Sequence, residues 1–192
     1  MDSAIVTMAH YGEGFKILDH RKWWFKVRMA YDQTEGWVEN LQVLEISEDQ
    51  YQSLEAQTPH YCQELTGFIQ EKNGGLMPVL LGANTSQSNL MSHTFEGNTK
   101  AKGTKNGIVN TALMYLNAPH LKGGTLPFGI DASGLSQMAY KLNGYTLART
   151  AELQSKQGEP LSFIEESEAG DLAFFDNAEG VIDHVGIILP DH

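Results

Sequence analysis

Apolar and polar positions change rhythm three times along the chain. In the first forty residues the apolar positions fall in short runs broken by turn-forming clusters. Ile5-Val6-Thr7-Met8 and Phe15-Lys16-Ile17-Leu18 flank Tyr11-Gly12-Glu13-Gly14. Trp23 to Met29 alternates over its second half, and Gly36-Trp37-Val38 follows the polar turn Tyr31-Asp32-Gln33-Thr34-Glu35. This pattern predicts four short strands, and four such strands with tight turns predict a small β-barrel. The rhythm then lengthens. Ser47-Glu48-Asp49-Gln50 joins a cap residue to an acidic first turn and predicts a helix start. Pro59 breaks that helix. Cys62, Leu65, Phe68 and Ile69, at i, i+3, i+4 spacing, predict a second helix closed by Asn73-Gly74-Gly75. Pro78-Val79-Leu80-Leu81-Gly82 reads as a strand. Residues 83–107, rich in Ser, Thr, Asn and Gly, are the expected junction between two domains.

From Ile108 onward the signals sharpen. Ile108, Val109, Ala112, Leu113, Tyr115 and Leu116 predict an amphipathic helix, stopped by Asn117-Ala118-Pro119. A Gly-rich loop from Gly123 to Gly129 leads to a helix running from about Ser133 through Leu135, Met138, Ala139 and Leu142 to Asn143-Gly144. Asp171–Phe175 and His184–Leu189 are near-continuous apolar runs, read as buried strands joined by a hairpin over 176–180. Helices followed by antiparallel strands define an α+β class.

Composition narrows the function. The chain has 192 residues, with 13 Lys and Arg against 24 Asp and Glu, a net charge of -11. So acidic a field disfavours a nucleic-acid partner. No apolar run reaches the ~18 residues of a membrane span. Asp2 stands where a signal peptide carries basic residues, so the expected location is cytoplasmic, or secreted or in the cell envelope if the N-terminus is trimmed. The single cysteine, Cys62, excludes an internal disulfide framework and reads as a buried structural thiol. The histidines at 10, 20, 60, 93, 120, 184 and 192 show no His-Glu-x-x-His spacing, so no metal and no other cofactor is expected. The loop at 123–129 lacks Gly-Lys-Ser/Thr and is not read as a phosphate loop. The run Glu165-Glu166-Ser167-Glu168 is read as a solvated loop.

The chemistry concentrates at Gly129-Ile130-Asp131-Ala132-Ser133-Gly134-Leu135. A helix N-terminus offers free N–H groups and the positive end of the helix dipole. A thiol placed there is activated, and a strand histidine such as His184 would serve as its base. The helix-mouth residue here is Ala132. On spacing alone, Asp131 and Ser133 are a helix cap pair and His184 is a strand-end histidine.

Four blocks carry a resemblance beyond that reading: Pro127–Leu135, Leu147-Ala148-Arg149, Gly170–Phe175 and His184-Val185-Gly186-Ile187. In order and spacing they resemble the NlpC/P60 family of papain-like cysteine peptidases. The N-terminal half is similar to the SH3-like module that precedes this domain in enzymes cleaving the γ-D-glutamyl–diamino-acid bond of murein peptides. The resemblance implies an SH3-like β-barrel with a helical insertion and linker over 1–100, incomplete at its start. It further implies a papain-like domain over 101–192, truncated at its end. It places the nucleophile at position 132, which is Ala, and the general base at His184. The family's orienting residue would fall beyond position 192, and His192 is not assigned that role. Asp131, Ser133 and Arg149 match positions lining the peptide site. His120 and Lys122 occupy the place of a Tyr-x-Trp-Gly-Gly stretch and depart from it. The implied ligand is a murein-derived peptide with a free N-terminus. The implied activity is that of an endopeptidase homologue inactive as the chain stands, the alternative being a pseudoenzyme that binds a peptide or partner.

Overall fold

Residues 3–101 and 103–190 are described by a computed structural model. His192 and the Met1-Asp2 start lie outside the described residues. The chain forms two compact units, Val6–Ala101 and the described residues of 1–5 and 102–192.

In the first unit, β1 (Phe15–Arg21), β2 (Trp24–Met29) and β3 (Glu35–Glu39) form an antiparallel meander in the order β1-β2-β3. Phe25, Val27 and Met29 point inward from β2, as its period-two pattern requires. Ile5–Met8 is not a strand of this meander. Among the described residues no barrel closes. The meander is a separate open sheet from β6-β5-β7 and from the pair β4-β8.

Helix α1 (Glu48–Glu55) begins where the sequence predicts, through a capping box. Gln50 N donates to Ser47 Oγ, and Ser47 N donates to the Gln50 side chain. The predicted second helix is instead β4 (Tyr61–Cys62) and β5 (Thr66–Gln70). Gly67 and Ile69 are buried while Thr66, Phe68 and Gln70 face out. A short apolar run satisfies helical and strand spacing alike, and here the available partners decide. β5 pairs with β6 (Leu76–Leu80) on one side and β7 (Thr94–Phe95) on the other. Asn73-Gly74-Gly75 is therefore a hairpin turn rather than a helix end, with Gly74 at φ +86°. The expected junction is also structured: a 3-10 helix spans Thr85–Met91, and β7 and β8 (Thr99–Lys100) add to sheets begun earlier in the chain. The core of this unit is Cys62, Ile69, Val79 and Ala83, flanked by Tyr11, Met77 and Phe95. Burial pushes the Cys62 thiol up, as befits a structural residue.

The second unit follows its sequence signals closely. Helix α2 (Gly107–Leu113) packs on α3 (Ala132–Lys141), between which lies the short ladder of β9 (Thr125–Leu126) and β10 (Gly129–Ile130). A one-turn helix α4 (Ala151–Gln154), not predicted, follows α3. The antiparallel pair β11 (Leu172–Asp176) and β12 (Ile182–Ile187) then closes the unit, and α3 and α4 both contact β12. These strands are less covered than their apolar sequences predict. Val185 alone among them is buried, because the sheet has two strands and the helices contact it through β12.

Helix α3 also buries a cation. Lys141 is 5% exposed, and burial pushes its ammonium down to about 7. The folded value lies below the ordinary lysine value, so the unfolded chain holds the proton more tightly between the two. Stability is therefore expected to rise between about pH 7 and pH 10, by on the order of a few kcal/mol from this group. Above pH 10 the buried Tyr61 and the partly buried Tyr11 and Tyr140, each pushed up to about 12, act in the opposite sense. Chemical denaturation across this range should show the rise in the wild type and its loss in Lys141→Met. An unchanged slope in the variant would exclude Lys141 as the source.

Candidate active site

The site is organised by Asp131, the N-cap of α3. Its Oδ1 accepts from Gly134 N at 2.7 Å, the usual i to i+3 cap bond. Ser133 Oγ donates to the same oxygen at 3.3 Å, and Oδ2 accepts from Gly123 N at 2.7 Å. Arg149 then grips both oxygens, Nη1 to Oδ1 at 3.0 Å and Nη2 to Oδ2 at 2.9 Å. The guanidinium is 4% exposed, and it also donates to Ser133 Oγ at 3.0 Å and to Gly124 O at 3.3 Å. Burial alone would raise the Asp131 carboxyl. The Arg149 guanidinium and the two backbone N–H groups outweigh it and hold the carboxyl below the ordinary carboxylate range.

This arrangement gives the Gly-rich loop a role that its sequence did not reveal. Gly123 supplies a backbone donor to Asp131 and Gly124 a backbone acceptor to Arg149. A Cβ on Gly134 would stand 2.3 Å from Gly124 O, so the helix mouth and the loop meet backbone to backbone. A second polar layer lies beneath. Ser136 Oγ donates to Gln154 Oε1 at 2.7 Å, and Gln154 Nε2 donates to Ser133 O at 2.9 Å and Ala148 O at 2.8 Å. Sequence reasoning passed over Ser136 and Gln154. Their only signal is a polar residue at a buried helical position.

Ala132 is the first residue of α3 and is partly buried; its side chain is a methyl group. His184 lies on β12, the strand that α3 packs against. It pairs in register with Phe175, the two rings 5.9 Å apart. The imidazole is exposed, and among the described residues nothing hydrogen-bonds it. His120 forms a bridge to Ile130, the residue before Asp131, so it and the exposed Lys122 border the helix mouth. The structure thus gathers Asp131, Ser133 and Arg149 into one hydrogen-bonded cluster. Lys122 does not join it, because Arg149 holds the carboxylate. Chemically, the cluster presents a rigid helix N-terminus with no nucleophilic atom at its first residue.

Residues 117–192 match the NlpC/P60 family. Part of the chain is 38% identical over 93 residues to the γ-D-glutamyl-L-lysine dipeptidyl-peptidase of Bacillus subtilis strain 168, covering 47% of this chain and 31% of that protein. It is 40% identical over 88 residues to dipeptidyl-peptidase 6 of Lysinibacillus sphaericus, covering 45% and 30%. The matched segment thus spans less than a third of these curated relatives. The fold is similar to the crystal structure of an NlpC/P60 family protein from Bacillus cereus ATCC 10987, at a TM-score of 0.72 and 22% identity, over 96% of this chain and 70% of that one. The architecture is accordingly the mixed α/β NlpC/P60 fold. Among the described residues no helix is long and apolar enough to cross a membrane.

Proposed function

We propose that the unit from residue 102 onward is a murein-peptide endopeptidase domain of the γ-D-glutamyl–diamino-acid type whose attack step has no agent. It follows an SH3-like unit over about 1–100. The observation that carries this reading is Ala132 at the first position of α3, capped by Asp131, on a helix packed against the strand that bears His184. A thiol at that position would sit at the positive end of the helix and lose its proton to the imidazole. It would attack the peptide carbonyl to give a tetrahedral adduct, whose collapse breaks the C–N bond as the imidazolium protonates the departing amine; water, deprotonated by the imidazole, would then hydrolyse the thioester and free the thiol. The names of the similar Bacillus and Lysinibacillus proteins support the peptide class. A second reading, a pseudoenzyme that binds a peptide or partner, draws on the departures at His120 and Lys122, which alter the rim of the same helix mouth. The free peptide amine that the resemblance assigns to Asp131 would have to compete with Arg149, which already occupies both carboxylate oxygens.

Ala132→Cys tests the reading. The variant should cleave L-Ala-γ-D-Glu-L-Lys poorly, because nothing among the described residues fixes the tautomer or direction of the His184 ring. The rate of thiol alkylation against pH reports the thiolate directly. A thiol titrating far below its ordinary range together with brisk cleavage would show that the site is complete, and would remove the reading that His184 lacks support.

A further inference from the structure

The outer face of the β6-β5-β7 sheet carries a groove of about 420 Å³, lined by Glu64, Phe68, Gln70, Leu76, Thr94, Glu96 and Gly97. Its construction follows from the register. Gln70 pairs with Leu76 on one side and Thr94 on the other, and Phe68 projects from β5 on the same face, opposite the buried Gly67 and Ile69. Two large apolar side chains are left in water there, Phe68 at 54% and Leu76 at 68% exposure. The turn that closes the groove is tied down by Glu64, whose Oε1 accepts from Asn98 N at 3.3 Å and Nδ2 at 2.9 Å. Gly97 lies against this carboxylate, and a Cβ there would stand 2.8 Å from Glu64 Oε2.

Charge gives the groove its direction. Some carboxylates on this protein meet cations: Glu35 is held by Lys26 and Arg28, Glu152 by Lys156, and Glu168 by Lys105. Among the described residues neither Glu64 nor Glu96 pairs with a Lys or Arg. An apolar floor beside two unneutralised carboxylates complements a side chain with an apolar stem and a cationic end. An aromatic ring in the floor adds to the attraction for a cation.

We propose that this groove binds a lysine-type side chain of a peptide, its methylene stem against Phe68 and Leu76 and its ammonium at Glu64 and Glu96. The groove belongs wholly to the unit Val6–Ala101. Its occupancy is therefore independent of whether the other unit cleaves or binds murein peptides.

The test is a titration of the ¹⁵N-labelled full chain, at low salt, with N-acetyl-L-lysine methylamide and with the same compound acetylated on Nε. The free ammonium should produce saturable shifts at the amides of Phe68, Leu76, Thr94 and Gly97, and the Nε-acetylated compound should not. The double variant Glu64→Gln, Glu96→Gln should raise Kd by roughly tenfold or more. Both replacements keep shape and an acceptor oxygen, so the fold is preserved, and Phe68→Ala, at an exposed position, checks the floor separately. Absence of saturable shifts, equal shifts from both compounds, or a double variant that binds as the wild type does would each overturn the proposal.

Discussion

Incubated with L-Ala-γ-D-Glu-L-Lys, the protein is expected to release no product above the buffer blank. The proposed mechanism needs an electron pair at the mouth of α3, and Ala132 offers a methyl group. The cap at Asp131, the helix dipole and the imidazole of His184 can polarise or accept a proton, but none of them forms the acyl bond. Loss of the nucleophile in a serine protease lowers turnover on the order of 10⁶, and the loss of a thiol should be comparable. The decisive control is His184→Ala. If the wild type shows turnover that this change abolishes, then a nucleophile exists that the present reading has missed, and the domain is an active peptidase by another route.

Asp131→Asn is expected to cost the second unit about 3–5 kcal/mol of stability, the usual penalty for removing one partner of a buried ion pair. Asparagine still accepts the cap bond from Gly134 N, so helix capping survives. What is lost is the charge facing a guanidinium that has almost no access to water. The double variant with Arg149→Met should be less destabilised than the two single losses added together, because the uncompensated charge is then gone. The pH dependence has a definite sign. The Asp131 carboxyl is held below its unfolded value, so its contribution is complete above the ordinary carboxylate range and falls away as acid protonates it. Urea unfolding at neutral and acid pH measures both effects. A loss under about 1 kcal/mol at neutral pH would mean that the pair is no more valuable than a surface salt bridge. Asp131 would then be free to serve a ligand.

What the sequence by itself determined is what depends on neighbours a few residues away. The helix start at Ser47, the cap at Asp131, the glycine after α3 at Gly144 and the β11–β12 hairpin are all set by residues close together in the chain, and each is legible as a spacing. The helix that became β4 and β5 shows where that reading stops. Cys62, Phe68 and Ile69 fit the helical spacing but not a single strand face, and the pairing of β4 and β5 with β6, β7 and β8 is what takes up their backbone groups in the extended form. The N-terminal pattern likewise predicts a four-stranded barrel where the structure has an open three-stranded sheet, because alternation specifies which side chains face inward and not whether the sheet closes.

The candidate site divides in the same way. Asp131, Ala132 and Ser133 stood out because a helix mouth is a local motif. Arg149 lies 18 residues from Asp131, and the resemblance named it without saying what it touches. Its actual partners include the carbonyl of Gly124, a backbone atom that every residue type possesses. Backbone donors and acceptors leave no trace in residue identity, so the grip of Gly123 and Gly124 on the Asp131–Arg149 pair was decided only by tertiary structure. The groove at Phe68 was hidden for the same reason. Its floor and its carboxylates come from three strands and two turns, and the pairing of β7 with β5 joins segments far apart in the chain, which no local pattern specifies.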